Sequence, residues 1–186
     1  MGTARQDGLV MRRAKAGDAD AVLGILEDGI AAIARLGIEQ WQHGYPNMDA
    51  VRADIAAGRS WLCEDAATGE PLGTLALSLD YEADYDSPTE RWLTPEDPAD
   101  PAYAVIHRTA VAAGTARRGV MSFLFCGAEE EARRAGRRSL RIDTHPGNVR
   151  MRALCEKLGF TCCGEHELTP HGDEVDRVRL GYEKLI

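Results

Sequence analysis

The chain has 186 residues, 44% hydrophobic and 28% charged, enough for one domain with a full core and ordinary for a soluble globular protein. No apolar run approaches membrane-spanning length. A formal net charge of −8 argues against a general nucleic-acid binder, which needs a basic face. The first seven residues have no apolar segment behind their charge, so no secretory signal is expected; residues 1–8 read as a loose tail and 9–186 as a single domain. The five cysteines, Cys63, Cys126, Cys155, Cys162 and Cys163, are odd in number and contain no C-x-x-C pair. A reduced, cytoplasmic protein is expected, with no metal, because His166-Glu167 and His171 have the wrong spacing for a zinc helix.

Leu9–Arg13 reads as a short strand, and Gly17-Asp18 as a turn with Asp18 as N-cap of the next helix. That helix places Val22, Ile25, Leu26, Ile30 and Ile33 at i, i+3, i+4 spacing, so one face is buried, and Gly37 stops it. A second, short helix is expected from Asp49 to Ala57. Two antiparallel strands follow, Ser60–Glu64 and Leu72–Leu79. Residues 80–101 are acidic, with Asp80, Glu82, Asp84, Asp86, Glu90, Glu96, Asp97 and Asp100, and interleave Tyr81, Tyr85 and Trp92. A solvated loop is one reading; a surface for a cationic amine is the other. Strand Tyr103–Ala112, helix Val120–Ala135, strand Ser139–Asp143, helix Val149–Leu158 and a last strand pair near Phe160–Leu168 and Asp176–Lys184 complete the order β-α-α-β-β-β-α-β-α-β-β.

The run Ala116-Arg117-Arg118-Gly119-Val120-Met121-Ser122 follows a buried strand and opens a helix. Free backbone N–H groups at a helix N-terminus, with two arginines beside them, attract a phosphate or pyrophosphate. The run is neither a Walker loop nor a dinucleotide-binding fingerprint, since the chain has no G-x-x-x-x-G-K-[ST] and no G-x-G-x-x-G.

It resembles the acyl-coenzyme A loop of the GNAT superfamily of N-acetyltransferases, [Gln/Arg]-x-x-Gly-x-[Gly/Ala]. Gly119 matches, while Ala116 and Met121 depart from the first and last positions. Further resemblance lies in the strand Ile106-His-Arg-Thr-Ala-Val-Ala, in Asn148 followed by Leu154-Cys155-Glu-Lys-Leu-Gly-Phe160, and in the element order; Gln40-Trp-Gln-x-Gly-Tyr-Pro is similar to a bacterial subgroup. The resemblance implies an α/β (α+β) fold, a mixed, mostly antiparallel central sheet flanked by helices, in which the fourth and fifth strands splay apart. It further implies acetyl-coenzyme A as cofactor. Backbone at Thr109, Ala110 and Val111 would pair with its pantetheine arm. Amides of Arg117, Arg118, Gly119, Val120, Met121 and Ser122 would hold its pyrophosphate, with Asn148 a further contact. Met121 then has to point away from the phosphates.

Acetyl transfer to an amine needs a neutral nitrogen and a proton for the leaving thiolate. His107, on the face of Val105 and Thr109 by strand alternation, is the first candidate for the base; the alternative is a structural histidine. Val105 stands where histone-acetylating relatives carry a glutamate. Asp143 and His145, at the end of the fifth strand, are candidates to position the amine or relay a proton. Where family members carry a tyrosine that protonates the thiolate, this chain has Cys155, which is either a poor acid or a small buried hydrophobe. Trp41, Gln42 and Tyr45 belong to the segment that lies over the acceptor cleft in this fold. The expected function is transfer of an acetyl group from acetyl-coenzyme A to a primary amine of a small molecule, directly, in a ternary complex. No nucleic-acid or membrane partner is expected, and a homodimer is compatible with the family. A non-catalytic acyl-coenzyme A-binding or sensing protein, and a domain for another nucleotide, are the alternatives.

Overall fold

The computed structural model describes residues 4–6, 8–86, 91–95, 97–115, 118–169 and 176–186. Among the expectations above, Glu90, Glu96, Ala116, Arg117 and His171 lie outside them. The described residues hold eight strands, β1 (Ala4–Gln6), β2 (Leu9–Arg13), β3 (Ser60–Asp65), β4 (Pro71–Ser78), β5 (Tyr103–Val111), β6 (Ser139–Thr144), β7 (Thr161–Glu167) and β8 (Val178–Leu185). They form one sheet in the order β1-β2-β3-β4-β5-β6-β8-β7, antiparallel throughout except for the parallel pair β5–β6. The mixed, mostly antiparallel sheet is the one expected. One correction concerns the start of the chain. Residues 4–6, read as loose tail, pair with β2, Ala4 opposite Met11. Backbone groups supply that pairing and cover the outer edge of β2, so no side-chain pattern announces it.

Among the described residues four α-helices, α1 (Ala19–Ala34), α2 (Met48–Ala56), α3 (Val120–Arg134) and α4 (Val149–Lys157), cover the two faces. α1 buries Val22, Ile25, Leu26 and Ile33, and with Val51 of α2 it packs on Leu62 and Ala110 of the sheet. Each such side chain, once fully buried, contributes about 1.5–3 kcal/mol. Gly29 lets α1 lie close to β5, since a Cβ there would stand 2.8 Å from the Ala110 Cβ. α3 and α4 cover the opposite face, where Phe123, Leu124, Ala128 and Cys155 join Met11, Trp61, Leu75, Ile106 and Leu140 in the main core. Asp18 occupies the N-cap position of α1 but does not cap it. Its carboxylate turns back to Arg12 at 2.7 Å and to the Lys15 N–H at 2.7 Å. Asn47 and Asn148 do cap, accepting from the N–H groups of Ala50 and Met151.

The acidic segment after β4 is only partly a solvated loop. Asp97 and Asp100 are exposed, but Tyr85 and Thr94 are buried. Tyr85 joins Tyr103 and Val105 in a third apolar cluster on the face that α1 and α2 share. Glu183, wholly buried on β8, accepts from the N–H of Thr94 at 3.3 Å, from the Ser139 hydroxyl and from Arg141 Nε at 3.2 Å. The Arg141 guanidinium lies between the rings of Trp92, 4.2 Å away, and Tyr103, 3.8 Å away. A buried ion pair is tolerated only when its lone pairs and protons are satisfied in this way. The pair strap residues 91–95 to the sheet and so fix where residues 80–86 lie.

Candidate active site

β5 and β6 pair at only three positions, Tyr103–Val105 against Ser139–Arg141. β5 continues to Val111 against β4, so from Ile106 onward its edge towards β6 has no strand partner. This is the splay that the sequence resemblance implied. A β-bulge accompanies it: Thr74 faces Ala110 and Ala76 faces His107, so Leu75 lies opposite two residues, Arg108 and Thr109. Arg108 has φ +43°, a left-handed conformation that costs a non-glycine residue about 1–2 kcal/mol. Its side chain holds it there. Nε and Nη2 donate to the two oxygens of Asp54 at 2.6 and 2.9 Å, and Nη1 donates to the Tyr45 hydroxyl. The extra residue also corrects the alternation expected from sequence. His107 shares its face with Val105, but Thr109 is carried to the α3 side, where its hydroxyl lies 2.9 Å from Met121 Sδ.

A cavity of about 660 Å³ opens at the splay. His107 and Asp143 line it, with Thr109, Asn148, Trp41 and Tyr45. His107 Nε2 lies 3.1 Å from Glu82 Oε1. Burial alone would raise the Glu82 carboxyl. The hydrogen bond and charge of His107, the Ser78 hydroxyl and the Arg108 charge outweigh it and hold Glu82 below the usual glutamate range. An ionised Glu82 is an acceptor only, so Nε2 of His107 carries the hydrogen of this bond. Asp143 accepts from the Tyr85 hydroxyl at 2.9 Å and lies 3.9 Å from Arg179 Nε.

Beyond Thr109 stands the N-terminus of α3. Gly119 has φ +75° and precedes the first helical residue, the conformation that glycine adopts without strain. Its carbonyl accepts from the Phe123 N–H at 2.9 Å, while the N–H groups of Val120, Met121 and Ser122, in the first turn, precede any intrahelical acceptor. The Met121 side chain points inward, against Thr109 and the core. Arg118 pairs with Asp65 of the β3–β4 turn. Arg117 lies outside the described residues. Free amides at a helix end and an unpaired strand edge fit a ligand that has a pyrophosphate and an amide-bearing arm.

Of the cofactor candidates Thr109 and Asn148 line the cavity, while Ala110, Val111 and Arg118 to Ser122 do not; of the catalytic and acceptor candidates, three do not. Cys155 is wholly buried in the core, and burial pushes its thiol up to about 12, reinforced by the Glu156 charge. A thiol that holds its proton so firmly is a poor donor. Gln42 ties its loop to α1, donating to the carbonyls of Ile30 and Gln40. His145 accepts from the Gly147 N–H at Nδ1, so Nε2 carries the hydrogen and donates to Asp176 at 2.7 Å; it braces the turn between β6 and α4. Conversely, Arg59 and Arg108 line the cavity and were not singled out, while Glu82 and Tyr85 are the members of the acidic segment that do so together with Asp84. Neither Tyr81 nor Trp92 lines it; Trp92 Nε1 instead donates to the Tyr85 carbonyl at 2.9 Å.

No helix among the described residues is long and apolar enough to cross a membrane. The sequence matches the acetyltransferase (GNAT) family over residues 26–160. No curated protein matches it. The crystal structure of a GNAT-family acetyltransferase from Streptococcus agalactiae superposes with a TM-score of 0.81 at 28% identity, covering 97% of this chain and 96% of that one. A GNAT-family acetyltransferase from Listeria monocytogenes gives a TM-score of 0.70 at 17% identity, with both chains covered in full. RimL, a ribosomal alpha-N-protein acetyltransferase in complex with coenzyme A, gives 0.67 at 15% identity over 97% of this chain and 96% of that one. With a family match across most of its length and the splayed sheet of that fold, the chain belongs to the GNAT family and is an acetyltransferase.

Proposed function

We propose that this enzyme moves an acetyl group from acetyl-coenzyme A to a primary amine of a small molecule, by direct transfer in a ternary complex. The observation that carries the reading is the single cleft between β5 and β6. A fan of free helix amides lies beyond one end, and a hydrogen-bonded His107–Glu82 pair stands on its wall. When bound, acetyl-coenzyme A supplies the acetyl group as a thioester, whose C–S bond breaks as the amine's N–C bond forms.

The amides of Gly119 to Ser122 hold the pyrophosphate, Arg118 turns from Asp65 to the phosphates, and the open edge at Thr109 to Val111 pairs with the pantetheine arm. Asn148, buried at the cavity wall, caps α4 beside it. His107 accepts the amine proton at Nδ1. Glu82, bonded to Nε2, fixes the ring and stabilises the imidazolium that results. Asp143, held by Tyr85, orients the amine. Trp41 and Tyr45 cover the acceptor. No cysteine lines the cavity, which favours direct transfer over an acyl-enzyme. Cys155 keeps its proton in the core, so water protonates the leaving thiolate.

A calorimetric titration with acetyl-coenzyme A, with ATP as control, tests the reading. Saturable binding of acetyl-coenzyme A alone, followed by amine-stimulated thiol release, is expected. Equal binding of ATP, or no binding of either, overturns the cofactor assignment.

A further inference from the structure

Two arginines on the cavity wall converge on one carboxylate. Asp54, on α2 and 4% exposed, receives Arg108 at 2.6 and 2.9 Å and Arg59 Nε at 3.2 Å. Arg59 stands just before β3 and Arg108 at the bulge of β5, so three separate elements build the cluster. One carboxylate between two guanidiniums leaves a net positive charge. The other acid near Arg59 is Asp80, 3.5 Å from Nη1 and 76% exposed, too far into water to cancel it. Nη2 of Arg59 has no partner among the described residues. The remaining donors of both guanidiniums belong to side chains that line the cavity.

The same cavity also carries carboxylates. Glu82 is bonded to His107 and feels the Arg108 charge, and Asp143 is held by the Tyr85 hydroxyl, 3.9 Å from Arg179. A simple amine would meet these acids and leave the Arg59–Arg108 pair unmatched. A purely anionic ligand would engage the pair and leave the acids unmatched. Both sets of groups are engaged by a molecule that has an amine and a carboxylate together.

We propose that the acceptor is a small zwitterion, a free amino acid or close analogue, whose carboxylate is received by the Arg59–Asp54–Arg108 cluster while its amine faces His107. The inference rests on the acetyl-transfer reading of the same cavity and adds the acceptor's chemical class. Arg59 is the adjustable member, one-third exposed and bound to Asp54 through Nε alone, with Nη1 towards the exposed Asp80 and Nη2 left for the ligand. Arg108 is fixed by its strained backbone and by both oxygens of Asp54.

The test uses the full chain with acetyl-coenzyme A and a panel of amino acids of differing length, each paired with its carboxamide. Thiol release and equilibrium binding are both measured. At least one amino acid is expected to exceed its carboxamide in kcat/KM by at least about tenfold, the scale of hydrogen bonds to a charged group. Arg59→Gln should bring that ratio close to one, mainly through KM, and Arg59→Lys should keep most of it. Carboxamides that serve as well as their amino acids overturn the zwitterion and leave acetyl transfer standing. Carboxylate-dependent binding without thiol release supports the zwitterion and overturns transfer. Failure of every compound both to bind and to react overturns the two together. The comparison of acid with amide is made on the unaltered protein, so it stands even if the Arg59 variants do not fold.

Discussion

The two ends of the cleft are built by different means. At the end proposed for the phosphates the groups on offer are backbone amides, set by one left-handed glycine and the first turn of α3, all within a few consecutive residues. At the acceptor end they are side chains drawn from five separate places in the chain. Glu82 follows β4, His107 and Arg108 lie on β5, Asp54 on α2, Asp143 on β6 and Arg59 before β3. A site made of local backbone tolerates changes of side chain, as the proposed phosphate site requires of Met121. A site made of distant side chains depends on the sheet to bring them together, and each of its members is exposed to substitution.

The sharpest way to break this contrast is at the acceptor end. His107→Ala should lower kcat/KM by about 10²–10⁴-fold, the usual contribution of a general base, with coenzyme A affinity unchanged by calorimetry. A loss below threefold would remove His107 as base. At the phosphate end, Gly119→Val meets open space, so its effect is conformational. Forcing φ +75° on a branched residue should cost coenzyme A binding at least about tenfold, while circular dichroism shows an unchanged fold. Unchanged affinity would show that the backbone of this turn holds no phosphate.

Glu82→Gln sharpens the comparison through pH. Glu82 is held below its ordinary value, so the folded state binds fewer protons than the unfolded state in that window. Its stabilisation is complete above the ordinary glutamate range near about 4.3 and is lost as pH falls through the lowered folded value. The variant should therefore be less stable than the parent at neutral pH, by under about 1 kcal/mol, and the gap should close in acid, as urea unfolding across pH will reveal. Cys155→Ser belongs to neither end. Turnover should stay within about twofold, with a stability loss of about 1–2 kcal/mol from the buried hydroxyl. Alkylation at neutral pH should reach the exposed Cys126 and Cys162 and spare Cys155.

The same contrast explains what the sequence revealed. Strand and helix limits were legible almost to the residue, because the apolar periods in α1 and β4 and the glycines that end helices are local signals. The glycine turn that opens α3 was legible for the same reason, as was the place of His107 on β5. Glu82 and the Asp54 cluster were not, since their partners lie 25 and 54 residues away in sequence and only the sheet register joins them. Glu82 was one acid among eight in its segment, and nothing local distinguished it. The bulge in β5 was hidden too. Strict alternation placed Thr109 beside His107, and only the pairing of β4 with β5 exposes the extra residue. The short strand β1 escaped because backbone pairing leaves no mark in side chains.

That extra residue acts as a phase change along β5. Up to His107 the odd-numbered side chains of the strand lie on the face of α1 and α2; from Thr109 they lie on the side of α3. Arg108 sits at the change itself and belongs to both halves, so any substitution there alters acceptor recognition and cleft shape together. Arg59 reaches the same carboxylate from outside the strand. The fold therefore offers one position where acceptor preference can drift, by evolution or by design, while the cleft keeps its form.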